Sequence, residues 1–249
     1  FWVAYQPIVS IETRRVVGFE ALVRWEHPER GLVSPGEFIP AAEESGLIIP
    51  LDLWVFKEAC RQMRAWHSMF IEAPPLILSV NLSCKQFGQP DLIDKLDQVI
   101  EETGIDPSCL KIEVTESMIM SQPEAAADKL RQMKERGVSL SMDDFGTGYS
   151  SLSYLHKFPF NVLKIDRSFV GRIGPGGENS EIVSTIIALA HNLNMHVVAE
   201  GVESEHQCDQ LLALSCEFGQ GYFFSRPLRA KDAEAYLVRQ VREELCESR

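Results

Sequence analysis

"VAYQPIVSIETRRVVGFEALVRW", Val3 to Trp25, holds two strand-like runs, Val3 to Val9 and Val16 to Trp25, joined only by "SIETRR". Both runs are rich in β-branched and aliphatic residues. A linker this short cannot contain a crossover helix, so the two runs are expected to pair antiparallel. Further strand-like runs recur at Leu76 to Ser83, Leu110 to Thr115, Ser139 to Asp143, Val162 to Ile165, His196 to Glu200 and Gly221 to Ser225. Between them, "DLIDKLDQVIEETG", "PEAAADKLRQMKERG", "EIVSTIIALAHNLN" and "EHQCDQLLAL" place apolar residues every three or four positions, and two of these segments close on glycine. Strands alternating with helices build a parallel sheet, and this number of them closes it. The expected fold is therefore α/β: a modified (β/α)8 TIM-like barrel with one antiparallel strand.

The chain of 249 residues, 45% hydrophobic, can bury one sizeable core, and no internal boundary divides it, so residues 1–249 read as one domain. It starts almost directly in a strand-like run, which suggests the C-terminal module of something longer. Only "GRIGPGGENSE", Gly171 to Glu181, has the glycine and proline content of a flexible loop. No apolar run approaches the ~18 residues of a spanning helix, and no basic region precedes an apolar core at the N-terminus. Six cysteines lie scattered without a C-x-x-C pair in a chain too large to need staples, which favours reduced thiols and the cytoplasm. A net charge of −12 opposes attraction to a nucleic-acid polymer, so an anionic ligand would need intervening cations.

Side chains alternate faces along a strand. In "GFEALVR" Phe19, Ala21 and Val23 share one face and leave Glu20, Leu22 and Arg24 on the other; in "LSVNLS" Asn81 opposes Val80 and Leu82. The same reading assigns Glu113 to the polar face of "LKIEVT", and adds Asp143, Lys164 and Glu200 from later strands. Carboxylates converging on one barrel mouth repel each other in a partly desolvated site, and divalent cations remove that cost. Ligation by carboxylates and an amide suits magnesium, manganese or calcium; zinc would prefer His or Cys, and the six histidines show no ligand spacing. In "SMDDFGTGYSS" the glycines after Asp143 and Asp144 permit a sharp turn, so both carboxylates could reach metals, one of them bridging two ions.

The ordered motifs "YQPIV", "EALVRW", "NLS", "EVTES", "DDFGTGYSSL", "LKID", "AEGVE", "GQGY" and "RPL" run along the whole chain. This set resembles the EAL domains, the cyclic-di-GMP phosphodiesterases. The resemblance implies a metal-dependent hydrolase that opens cyclic di-GMP to linear pGpG with two Mg2+ or Mn2+ ions, while Ca2+ should bind without supporting turnover. By position, Glu20, Asn81, Glu113 and Asp143 look like ligands of one metal, with Asp143 shared and Asp144 serving the second. Glu200 resembles the general base, Lys164 the lysine that holds the attacking water, and Arg24 a phosphate-binding arginine. Gln6, Leu22, Gln220 and Pro227 resemble residues around the dinucleotide, and Asp166 either contacts substrate or braces its strand. Glu116 and Glu203 look like anchors of the loop after Asp144.

The resemblance further implies a homodimer, formed through "FGTGYSSLSYLHKF" with Tyr149, Leu152, Tyr154 and Leu155, and an upstream sensor or GGDEF-type domain. Members that lose metal ligands or the base become cyclic-di-GMP receptors or interaction domains. None of those residues is replaced here, so hydrolysis is the expected activity, with a receptor or an adaptor as the alternatives.

Overall fold

In the computed structural model the short first linker acts as its length dictates. Strands β1 (Trp2–Ser10) and β2 (Val16–His27) pair antiparallel, with Gln6 opposite Glu20 and Trp2 opposite Arg24. The structure describes residues 1–71, 73–120, 123–146, 155–174 and 180–247, without the side chains of 243–247. The remaining strands are β3 (Gly31–Val33), β4 (Ile77–Asn81), β5 (Leu110–Thr115), β6 (Ser139–Phe145), β7 (Val162–Ile165), β8 (His196–Glu200) and β9 (Phe218–Gln220). They form a nine-stranded sheet in the order β1-β9-β8-β7-β6-β5-β4-β2-β3, closed by the β1–β2 pairing. Because β3 pairs only with the outer end of β2, eight strands make the ring. Strand β1 runs antiparallel to both its neighbours and the other ring pairs are parallel. This is the expected modified (β/α)8 barrel with one reversed strand.

Each segment of helical period forms a helix: Leu92–Thr103, Pro123–Glu135, Glu181–Asn192 and Glu205–Ala213. The first ends where Gly104 adopts φ 64° and returns its N–H to the Ile100 carbonyl, a conformation that side chains with a Cβ resist. Helices Pro35–Ser45 and Ile48–Met69 fill the connection between β3 and β4, and Ala230–Glu247 follows the last strand. Trp66, fully buried on the second of these, sits 5.0 Å, centroid to centroid, from both Tyr5 and Phe19. Truncating so large a buried ring typically costs about 3–5 kcal/mol. The contact commits one face of β1 and β2 to the helical layer. Gln6 and Glu20, on the opposite face, are thereby turned into the barrel.

The strand expected over Gly221 to Ser225 is displaced. Strand β9 ends at Gln220, level with Glu200 at the end of β8, and Phe224 and Ser225 then donate their N–H groups to the Gly221 carbonyl in a turn. A Cβ on Gly221 would stand 2.1 Å from the Val202 carbonyl oxygen, so this close crossing requires glycine. The aromatic run satisfied strand propensity, but a strand stops where its partner does. Of the expected loop Gly171 to Glu181, residues 175–179 lie outside the described residues. No helix among the described residues is long and apolar enough to cross a membrane.

Candidate active site

Lys164, on β7, is only 1% exposed, and its ammonium gathers carboxylates from four other strands. Its Nζ lies 2.6 Å from Glu113 Oε2 on β5 and 2.6 Å from Glu200 Oε1 on β8. Asp143 Oδ1 on β6 stands at 3.2 Å and Glu20 Oε2 on β2 at 3.6 Å. One positive charge cannot neutralise four negative ones in a largely buried site. The proton equilibria reflect this. Burial pushes the Glu113 carboxyl up to about 8, opposed by Lys164 and reinforced by Glu20 and Asp143. Burial likewise lifts Glu200 to about 7, again against Lys164 and with the help of Asp143 and Glu20. For Lys164 burial acts downward, but the surrounding carboxylates outweigh it and hold the amine well above the ordinary lysine range.

Adjacent residues of a regular strand point to opposite faces, yet Asp143 and Asp144 reach the same site. The register of β6 explains how. Met142 is level with Leu163 and Phe145 with Ile165, so Asp143 and Asp144 together oppose the single Lys164. This is a β-bulge: Asp144 sits at φ 54° and Gly146, just beyond, at φ 93°. In consequence, carboxylate oxygens of Asp143, Asp144 and Glu200 all lie within 4.8 Å of one another. Burial, then Asp143 and Asp166, raises the Asp144 carboxyl above its usual range. The cluster offers only oxygen, without thiolate or imidazole, which fits hard divalent cations.

Amide side chains hold the remaining acid in place. Asn81 Nδ2 donates to Glu20 Oε1 at 2.5 Å, and Gln220 Nε2 donates to Glu20 Oε2 at 2.7 Å and to Gln6 Oε1 at 3.1 Å. A cleft of about 210 Å³ opens over them, lined among others by Leu22, Glu200 and Glu203. The structure thus brings Glu20, Asn81, Glu113, Asp143, Asp144, Lys164, Glu200, Gln6 and Gln220 to one end of the barrel. The charges of Arg24 and Asp166 act on Glu20 and Asp144 respectively, and Glu116 directly follows β5. The Arg24 guanidinium donates to the Val23 carbonyl at 2.8 Å, and Asp166 caps the helix Arg167–Val170 by accepting from Ser168 N–H at 3.0 Å. Glu116 is buried at the start of Glu116–Met120, and Pro227 precedes the bridge between Tyr5 and Leu228. Arg167 and Tyr222 also line the cleft, although the sequence reading passed over both. Arg167 directly follows "LKID" and Tyr222 ends "GQGY", so nearness to a motif was the available signal.

The EAL domain family matches residues 1–227. The bifunctional diguanylate cyclase/cyclic di-GMP phosphodiesterase MucR of Pseudomonas aeruginosa is 44% identical over 231 residues, which cover 91% of this chain and 33% of MucR. The cyclic di-GMP phosphodiesterase NbdA of the same organism is 43% identical over 94% of this chain and 30% of its own length. Among solved structures, the phosphodiesterase PaMucR in complex with c-di-GMP superposes with a TM-score of 0.88 at 43% identity, covering 93% of each chain. The chain spans about a third of the length of the curated relatives it matches.

Proposed function

The chain belongs to the EAL domain family, and from that premise we propose that it is a phosphodiesterase that hydrolyses cyclic di-GMP to linear pGpG. The observation that carries this reading is the convergence of Asp143, Asp144 and Glu200 within 4.8 Å, beside a cleft that Glu200 lines. Glu20, Asn81, Glu113, Asp143 and Asp144 would hold two Mg2+ or Mn2+ ions. When bound, such ions lower the pKa of a water and stabilise the attacking and leaving oxygens of an in-line phosphoryl displacement.

The chain's own residues supply the rest. Glu200, raised to about 7, is matched to accept a proton near neutral pH. Lys164 carries a fixed positive charge among the carboxylates and orients the attacking water. Gln220 braces Glu20 and ties Gln6 beside it, while Leu22 offers the cleft an apolar wall for the dinucleotide. Arg24 would meet a phosphate, with Asp166 and Pro227 at the edge of the bound dinucleotide; Glu116 and Glu203 would anchor the loop after Asp144.

The same reading expects Ca2+ to bind without turnover, a cytoplasmic chain, a sensor or GGDEF-type domain upstream, and a homodimer. Five free cysteines among the described residues are consistent with a reducing compartment. Of the segment expected to form the dimer contact, residues 147–154, with Tyr149, Leu152 and Tyr154, lie outside the described residues, whereas Leu155 is buried. Chromatographic identification of pGpG from cyclic di-GMP and purified protein tests the activity. Binding without product would make the chain a receptor, and neither binding nor product would leave an adaptor.

A further inference from the structure

At the end of the barrel opposite the carboxylate cluster lies a cavity of about 410 Å³, within the usual range for small-molecule sites of roughly 300–1,000 Å³. It is bounded where the parallel strands begin and β1 ends, by Ile8, Gly18, Ile77, Lys111 and Phe218. Trp66, Phe70, Leu76 and Leu237 give it apolar walls. Two cations line it, Lys111 and Arg15, and no Asp or Glu does so among the described residues, although the chain carries a net charge of −12.

Lys111 is only 9% exposed, and among the described residues its ammonium makes no hydrogen bond or ion pair, the main charge acting on it being that of Glu113 on the same strand. On β5 it shares the inward face with Glu113 and is level with Ser79 on β4, whose hydroxyl is also buried without a hydrogen-bond partner. An ammonium without an ion pair among mostly apolar walls is poorly solvated, and an anion seated against it offsets that cost. We propose that this cavity is a second binding site, which takes a small organic carboxylate with an apolar body: the carboxylate on Lys111 and the body against Phe70, Pro75 and Leu237. A phosphate-rich ligand fits the mostly apolar walls poorly.

The test is calorimetric titration of the purified chain, in chelator at pH 7, with octanoate and with octan-1-ol, which shares the apolar body but lacks the charge. Wild type should bind octanoate at least about tenfold more tightly than the alcohol, the difference expected of one charge-assisted contact. Lys111→Met should erase that preference while leaving the melting temperature unchanged or higher, and Lys111→Arg should retain it. Equal binding of the two ligands to wild type, or an octanoate affinity unaltered in Lys111→Met, overturns the proposal. The wild-type comparison decides the matter even if Lys111→Met does not fold.

Discussion

Glu200 Oε1 lies 2.6 Å from Lys164 Nζ, so the acid proposed to take a proton from water is held by the lysine proposed to orient that water. The same ammonium serves three further carboxylates. Lys164→Ala should therefore have two separable effects. In chelator it leaves buried acids without a counter-charge and should destabilise the fold by roughly 3–5 kcal/mol, a loss that magnesium partly restores. With magnesium it should slow hydrolysis by at least ~100-fold. A variant that melts like wild type in chelator would remove Lys164 as the counter-ion of the cluster.

The order of strands and the inward acids were legible because alternation along each strand leaves a polar residue wherever the barrel interior begins. Phe19 against Trp66 fixes the face of β2, and Glu20 follows from it. Pairwise geometry was not legible. From "SMDDFGTGYSS" a turn at the following glycines was expected to bring both carboxylates to the metals, and only the register against β7 reveals that a bulge within β6 itself unites Asp143 with Asp144. Nor does composition show that Lys164 faces four acids, since that depends on contacts among residues distant in the chain. The aromatic run after Gln220 misled for a related reason: the approach of Gly221 to Val202 is a tertiary contact with no local signature.

Metal identity follows from the oxygen-only donor set. Magnesium and manganese should support turnover, whereas calcium should raise the melting temperature yet support little, because its looser coordination misplaces the nucleophile. Rates and melts measured side by side in the three metals check this, and equal rates in all three contradict it.

Asp52 gives a pH dependence that does not involve the cluster. Burial raises its carboxyl to about 6, opposed by the bond it accepts from Ser83 N–H at 3.1 Å. Its folded pKa exceeds the unfolded value of about 3.9, so the folded state holds the proton longer. The resulting stability is fully present below pH ~4 and is lost as pH rises through about 6. Asp52→Asn keeps an acceptor for Ser83 and removes the titration. Its melting temperature relative to wild type should increase between pH 4 and 6, and a difference that stays flat across that window would count against the assignment.

Gly221→Ala drives a methyl group into the Val202 backbone, with atoms at 2.1 to 2.7 Å, beside Glu203 in the cleft wall. The expected cost is about 1–3 kcal/mol of stability. Weaker cyclic-di-GMP binding should accompany it, measured calorimetrically in calcium to prevent turnover. Unchanged melting and binding would show that the crossing yields more easily than its distances suggest.

The central claim is that the oxygen cluster hydrolyses cyclic di-GMP when loaded with divalent ions. The most direct measurement is product formation by wild type and Glu200→Gln, each with magnesium and with chelator. Wild type should form pGpG with magnesium and stop in chelator, while Glu200→Gln should bind the dinucleotide but turn it over at least ~100-fold more slowly. Wild type that binds cyclic di-GMP without forming product in magnesium or manganese, or that hydrolyses it undiminished in chelator, would contradict the account.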